Sequence, residues 1–158
     1  MRLSVLIPVH NERQTLDTIV ERVMKVAKPY EIIVVDDGSS DGSRRIAEQL
    51  QKKYPESLRA IAHPHNMGKG AALRTALAQA TGDVVMMQDA DLEYHPEDYP
   101  SALRLIEQGH ADAVYGSRFL GPHRATRRTY KRTINVCRRS IRSCAPVTFP
   151  RRKRARHD

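Results

Sequence analysis

Short apolar runs alternate with segments of helical periodicity over the first 115 residues, and this alternation limits the fold more than any other feature of the sequence. The runs are Leu3 to Val9, Glu31 to Val35, Leu58 to Ala62, Val84 to Met87 and Ala113 to Tyr115. Runs that are apolar nearly throughout are typical of strands covered on both faces. Strands that alternate with helices form mostly parallel sheets with right-handed crossovers. The sequence therefore predicts an α/β fold with a mostly parallel, doubly wound sheet.

Local signals predict where these elements begin and end. Asn11, with Gln14 three residues later, matches a capping box at the start of the first helix. Pro8 has no N–H to donate and is expected to end the regular pairing of the first strand. Gly82 is expected to close the helix Ala71 to Ala80 in a left-handed conformation.

Three acidic residues alternate directly after the fourth apolar run: Asp89, Asp91 and Glu93. Alternate side chains of an extended chain share a face, where three carboxylates repel one another unless a cation lies between them. Mg²⁺ and Mn²⁺ prefer such oxygen ligands, so the pattern predicts a metal site at the carboxyl end of a strand. The alternative is a solvated acidic loop that caps the next helix.

A second acidic pair, Asp36 and Asp37, follows the second apolar run. Doubly wound folds place a ribose-binding acid at this point. The glycine-rich dinucleotide fingerprint is absent after the first run, and the residues around Lys69 lack the spacing of a Walker A loop. The sequence therefore favours a single nucleotide as the ligand, and disfavours both a dinucleotide and P-loop ATP or GTP hydrolysis.

Charge divides the chain into two predicted parts, a body at residues 1–122 and a basic segment at residues 123–158. The basic segment holds 13 of the 27 lysines and arginines but one of the 18 acidic residues, whereas the body is mildly acidic. Residues 125–158 contain no leucine, so we expect too little apolar burial to order them and predict a disordered or irregular segment. The abrupt change suggests a frameshift or truncation after about residue 124, with a genuine basic appendage as the alternative.

Both cysteines, Cys137 and Cys144, lie in the basic segment and suggest neither a disulfide framework nor a zinc site. The first apolar run is too short for a signal peptide, and no run approaches the roughly 18 apolar residues of a membrane span. These features predict a cytoplasmic chain.

Five segments carry a resemblance to a known family: Ile7-Pro8-Val9-His10-Asn11-Glu12, Val34-Val35-Asp36-Asp37-Gly38-Ser39-Ser40-Asp41-Gly42, Asn66-Met67-Gly68-Lys69-Gly70, Gln88-Asp89-Ala90-Asp91-Leu92-Glu93 and Tyr115-Gly116-Ser117-Arg118. In this order they resemble motifs of the family 2 glycosyltransferases with the GT-A fold. The dolichyl-phosphate mannose synthase and polyprenyl-phosphate glycosyltransferase branch is the most similar.

This resemblance implies roles for particular residues. The implied nucleotide-sugar-binding residues are Pro8, His10, Glu12, Val35, Asp36, Asp37, Lys69, Asp89, Ala90, Asp91 and Arg118. Asp89, Asp91 and Arg118 are the implied catalytic residues, and Asp89, Asp91 and Glu93 the implied ligands of Mg²⁺ or Mn²⁺. Lys69 could equally begin a solvated helix. Asp41 and Asn66 are expected to act in turns and caps, and His63 and His65 are not expected to bind metal.

The resemblance also implies the reaction, an inverting transfer of a sugar from GDP-mannose or a UDP-sugar to a polyprenyl or dolichyl phosphate. A lipid acceptor implies peripheral contact with the cytoplasmic membrane face. The alternative function is a protein that binds nucleic acid or an anionic membrane through the basic segment, without sequence specificity. A phosphatase of the D-x-D type is disfavoured, because Leu92-Glu93 replaces the threonine-containing continuation of that motif.

Overall fold

The computed structural model describes residues 1–92, 95–115 and 135–139. Within these residues, six strands form one sheet in the order β3-β2-β1-β4-β6-β5. The elements in chain order are β1 (Leu3–Val9), α1 (Leu16–Ala27), β2 (Glu31–Asp36), α2 (Ser43–Lys53), β3 (Leu58–Ala62), α3 (Lys69–Gln79), β4 (Val84–Met87), a 3₁₀ turn (Pro96–Asp98), α4 (Tyr99–Glu107), β5 (Ala113–Tyr115) and β6 (Asn135–Arg138).

The first four strands pair in parallel, as the sequence predicts. Their side chains alternate between two apolar clusters, so that Val5 and Ile7 pack on one face of the sheet and Leu6 on the other. Helices α1, α2 and α4 cover the first face, and α3 covers the second. The doubly wound α/β prediction is confirmed.

Strand β6 was not predicted. It lies between β4 and β5 and pairs antiparallel with both. Val136 and Cys137 are 1% and 5% exposed, so the expectation that residues 125–158 cannot order themselves is wrong for Asn135–Arg138. Cys137 is disulfide-bonded, which also contradicts the expectation from the cysteine count. Part of the basic segment therefore belongs to the sheet.

Pro8 ends the pairing of β1 on one side only. Strand β1 pairs with β2 as far as Val9, but with β4 only as far as Leu6. Alternate backbone groups of β1 face opposite neighbours: Leu6 C=O accepts from Gln88 N–H, and Val9 C=O accepts from Asp37 N–H. Pro8, two residues after Leu6, therefore presents its missing N–H to the β4 side. The two strands separate there, at the carboxyl end of the sheet.

Two local predictions are wrong. Helix α1 begins at Leu16, and Asn11 instead has a φ of 59° and accepts a hydrogen bond from Ser40 N–H at its Oδ1 (2.9 Å). Gly82 does not have a positive φ. A glycine is needed there because a Cβ atom would lie 2.5 Å from Ser4 Oγ.

None of the helices in the described ranges combines the length and hydropathy of a transmembrane segment.

Candidate functional site

A cavity of about 290 Å³ opens at the carboxyl end of the sheet, where β1 and β4 separate. Strand β1, the loops after β2, β3 and β4, and the start of α3 all contribute to it. The sequence-predicted residues that line it are Pro8, His10, Glu12, Asp37, Lys69, Asp89, Ala90 and Asp91. The topology therefore brings together motifs that lie far apart in the sequence.

The remaining predicted residues lie elsewhere. Val35 and Asp36 are buried in β2 and are not among the lining residues. Asp36 accepts a hydrogen bond from Ser39 N–H at 3.3 Å, so its contact is with the turn that follows. Glu93 and Arg118 fall outside the described residues.

Asp37 fixes the loop that borders the cavity between β3 and α3. The carboxylate is 2% exposed and accepts from the backbone N–H groups of Met67 (2.9 Å) and Gly68 (2.7 Å). Burial alone would raise the pKa of Asp37, but the bonds from Met67, His63 and Gly68 outweigh it and hold the pKa below its ordinary value. Asp37 therefore stays ionised and anchors the loop.

His10 presents its imidazole ring to the cavity in one fixed orientation. Its Nδ1 lies 2.9 Å from the Asp37 carbonyl oxygen, which can only accept, so Nδ1 carries the proton. Asn66 Nδ2 lies 3.0 Å from His10 Nε2 and donates to it. The amide of Asn66 is oriented in turn by Gly68 N–H, which donates to its Oδ1 at 2.9 Å. Asn66 was expected to be a turn or cap residue, and its contact with His10 was missed.

His63 is a second residue whose role was missed. It donates from Nδ1 to Asp37 Oδ1 at 2.7 Å, while its Nε2 lies 2.9 Å from Thr75 Oγ1. The histidine thus connects Asp37 to α3, the helix whose first residue is Lys69. No pattern in the sequence identifies this contact, because its three residues lie on different elements.

The acidic side of the cavity is formed by the residues after β4. Asp89 Oδ1 lies 2.5 Å from Lys69 Nζ, so Lys69 contributes its charge to the cavity. Among the described residues, no three metal-ligating side chains form a cluster. Asp89 and Asp91 nevertheless line one cavity together, and Mg²⁺ is commonly bound through one or two carboxylates together with substrate phosphates. The donor set therefore fits a hard divalent cation shared with a phosphorylated ligand.

Gln88, immediately before Asp89, is fully buried. Its Nε2 donates to the Asp89 carbonyl oxygen at 2.8 Å, and its Oε1 accepts from the Tyr99 hydroxyl. Burial raises the pKa of Tyr99 above its ordinary value, and the charge of Glu97 acts in the same direction. The hydroxyl therefore remains protonated and donates to Gln88.

Comparison with known proteins identifies the family. The model of the family described as "Glycosyl transferase family 2" matches residues 4–156. The chain belongs to glycosyl transferase family 2. The family match continues through β6 and does not stop where the composition changes after residue 124.

Two curated relatives of this family 2 chain carry polyprenyl-phosphate names. An undecaprenyl-phosphate 4-deoxy-4-formamido-L-arabinose transferase of Pectobacterium atrosepticum is 36% identical over 138 residues, which cover 85% of this chain and 42% of the relative. A dolichol-phosphate mannosyltransferase of Pyrococcus furiosus is 36% identical over 122 residues, which cover 76% of this chain and 34% of the relative. The chain thus spans less than half the length of these relatives.

A solved structure supports the same assignment. A mannosyltransferase from Pyrobaculum calidifontis, in complex with GDP-Man and Mn²⁺, superposes with a TM-score of 0.65 at 27% identity. The superposition covers 73% of this chain and 35% of the mannosyltransferase. The GT-A fold implied by the family 2 motifs is therefore confirmed.

Proposed function

We propose that this chain forms the donor-binding part of a metal-dependent, inverting glycosyltransferase. The donor would be GDP-mannose or a UDP-sugar, and the acceptor a polyprenyl or dolichyl phosphate. The observation that carries the proposal is the single cavity that contains both the His10 and Asp37 side and the Asp89 and Asp91 side. The names of the relatives and the GDP-Man and Mn²⁺ of the solved neighbour support the choice of substrates and cofactor.

The two sides of the cavity would bind different parts of the donor. On the first side, the flat ring of His10 and the loop held by Asp37 would receive the base and ribose. On the second side, Asp89 and Asp91 would hold the cation beside the diphosphate, with Glu93 as a proposed third ligand. When bound, Mg²⁺ or Mn²⁺ offsets the negative charge that gathers on the diphosphate leaving group.

The remaining chemistry requires positioning rather than a strong base. A lipid phosphate brings its own anionic oxygen as the nucleophile, so little proton abstraction is needed. Lys69, at the first residue of α3, would place a positive charge beside the donor phosphates. Arg118 is proposed to approach the donor or acceptor phosphate.

The proposal is tested by calorimetric titration of the chain with GDP, UDP, GDP-mannose and a UDP-sugar, with and without Mn²⁺. We expect Mn²⁺ to increase the affinity for one of these donors, and Asp91→Ala to remove that increase. Asp17→Ala is the matched control, because Asp17 is exposed on α1 and is not among the residues that line the cavity. The proposal would be overturned if the chain bound none of these donors, or if Mn²⁺ still increased donor affinity in Asp91→Ala.

The basic segment supports a second candidate function, binding to polyanions, through its 13 lysines and arginines. Deletion of the whole segment would also remove β6, so it cannot separate the two functions. Replacing the cluster at residues 151–154 with glutamine tests the candidate more cleanly. Loss of binding to DNA and to anionic vesicles, with donor affinity unchanged, is the expected result, and unchanged polyanion binding would reject it.

A further inference from the structure

A buried hydrogen-bonded pair, Gln88 and Tyr99, connects α4 to the residue that begins the acidic side of the cavity. Gln88 is 0% exposed and Tyr99 is 2% exposed, and neither lines the cavity. Tyr99 is the first residue of α4, and Gln88 directly follows β4. The pair therefore lies behind the acidic side of the cavity.

The directions of the two hydrogen bonds are fixed by chemistry. The Asp89 carbonyl oxygen can only accept, so the amide nitrogen of Gln88 must face it, at 2.8 Å. The amide oxygen then faces Tyr99, whose hydroxyl must donate. Each group is satisfied in this one arrangement. The Asp89 carbonyl determines which way the Gln88 amide points, and the Tyr99 hydroxyl holds the amide in place by donating to its oxygen.

This restraint acts where the sheet no longer holds the backbone. The pairing of β1 with β4 ends at Leu6 and Met87, and Pro8 has no N–H to extend it. The chain then turns at Ala90 and Asp91, directly after the carbonyl that Gln88 holds. Asp89 precedes this turn, Asp91 lies in it, and both line the cavity.

We propose that Gln88 and Tyr99 are positioning residues that orient the Asp89–Asp91 turn, so that the cation affinity of the cavity depends on a tyrosine hydroxyl outside it. This inference rests on the proposed function, because it assigns the pair to the same cation site. Loss of groups that orient metal ligands commonly lowers metal affinity by about 10- to 100-fold.

The test measures the affinity for Mn²⁺ alone and, separately, for Mn²⁺ with GDP or UDP, well below the unfolding temperature. Tyr99→Phe removes the donor and leaves Gln88 Oε1 buried without a partner, so we expect lower stability and Mn²⁺ binding weakened by about tenfold. Nucleotide affinity without Mn²⁺ should remain within about twofold, because His10 and Asp37 lie on the other side of the cavity. Tyr30→Phe, at an exposed tyrosine, is the matched control and should leave both affinities unchanged.

The double variant Gln88→Leu with Tyr99→Phe separates positioning from stability. Replacing both partners by apolar groups removes the unsatisfied oxygen, so stability should recover relative to Tyr99→Phe alone. In the double variant the Asp89 carbonyl loses its donor, Gln88 Nε2, so Mn²⁺ affinity should remain low. Mn²⁺ affinity that recovers with stability, or that is unchanged in Tyr99→Phe, would overturn the inference while leaving the proposed function intact. No Mn²⁺ binding by the unmodified chain would overturn both.

Discussion

Each end of β2 carries a buried carboxylate that accepts hydrogen bonds from a neighbouring loop, and the two carboxylates serve different purposes. At the amino end, Glu31 Oε1 accepts hydrogen bonds from Ser4 Oγ and from the backbone N–H groups of Thr81 and Gly82. At the carboxyl end, Asp37 accepts from the backbone of the loop that precedes α3. Both carboxylates are buried, and both hold a loop through its N–H groups.

The two loops differ in what they carry. The turn held by Glu31 connects α3 to β4 and packs against the backbone of β1, where Gly82 leaves no room for a Cβ atom. The loop held by Asp37 presents Asn66, Gly68 and Lys69 to the cavity. A buried carboxylate thus supports the sheet at one end and the candidate site at the other, and substitutions at the two ends should have separable effects.

The largest effects are expected from a pair of glycine substitutions. A Cβ atom on Gly82 would lie 2.7 Å from Arg2 O, and one on Gly38 would lie 2.4 Å from the carbonyl carbon of His65. Because both contacts are with backbone, Gly82→Ala and Gly38→Ala should each lower the free energy of unfolding by about 3 kcal/mol. Only Gly38→Ala should also weaken nucleotide binding, since it displaces the loop beside the cavity.

Urea denaturation and nucleotide titration measure these two effects. Gly109→Ala is the control, because Gly109 has a φ of 72° but no heavy atom within 4 Å of its Cβ position. It should cost about 1 kcal/mol from backbone conformation alone. Equal losses of nucleotide affinity in Gly82→Ala and Gly38→Ala would contradict the division between the two ends.

Next in size is the pair of isosteric carboxylate substitutions. Glu31→Gln should lower the free energy of unfolding by about 2 kcal/mol, because the charged acceptor of the Thr81 and Gly82 N–H groups and of the Ser4 hydroxyl is lost. Its nucleotide affinity should stay within about twofold of the unmodified chain. Asp37→Asn should have a similar cost in stability and also weaken nucleotide binding, as measured by calorimetry. Normal nucleotide binding by Asp37→Asn would show that the loop keeps its geometry without the charge.

A smaller effect is expected from acid. The pKa of Glu31 lies below its ordinary 4.5, because its hydrogen bonds from Thr81, Ser4 and Gly82 outweigh the opposing effect of burial, and that of Asp37 lies below its ordinary 3.8. The unfolded chain therefore takes up these protons at a higher pH than the folded chain. Stability should be level above about pH 5 and fall as the pH drops through the lowered values.

Denaturant midpoints across this pH range measure the decline. Glu31→Gln and Asp37→Asn should each make the decline shallower. A decline that neither substitution alters would assign the acid sensitivity to other groups.

The smallest effect on stability is expected from the two exposed cations beside acids. Lys69 contacts Asp89 at the cavity, and Arg59 lies 4.0 Å from Glu31 Oε2 at the other end of the sheet. Each substitution to methionine should change stability by less than about 0.5 kcal/mol, because exposed ion pairs contribute little. Lys69→Met should weaken nucleotide binding and strengthen the binding of Mn²⁺ alone, since Lys69 competes for Asp89. Arg59→Met should change neither affinity, and calorimetry distinguishes the two.

The sequence predicted the features of the fold and site that depend on local residue patterns. Continuous apolar runs identified five strands, and polar residues directly after them identified Asp37, Asp89 and Asp91 as lining residues. The carboxyl ends of parallel strands meet at one edge of a sheet, so the position of an acid after a strand carries much of the three-dimensional information.

The missed features depend on contacts between distant residues. Two buried residues, Val136 and Cys137, are too few for a periodicity signal. They are buried because β6 lies between β4 and β5. The contacts of His63 with Asp37 and of Gln88 with Tyr99 join different elements. Gly82 was predicted to be left-handed from its place after a helix. The residue must instead be a glycine because β1 approaches it closely.

The position of β6 also constrains the order in which the sheet can assemble. Strand β5 pairs only with β6 among the described strands, yet it ends at Tyr115 and β6 begins at Asn135, 135 − 115 = 20 residues later. At a synthesis rate of about 5 to 20 residues per second, β5 therefore waits roughly one to four seconds for its neighbour. During that interval the open side of β4 is an unpaired strand edge, available to other chains. The newly made chain is thus most vulnerable to aggregation just before β6 emerges, after most of the cavity-lining residues have already been synthesised.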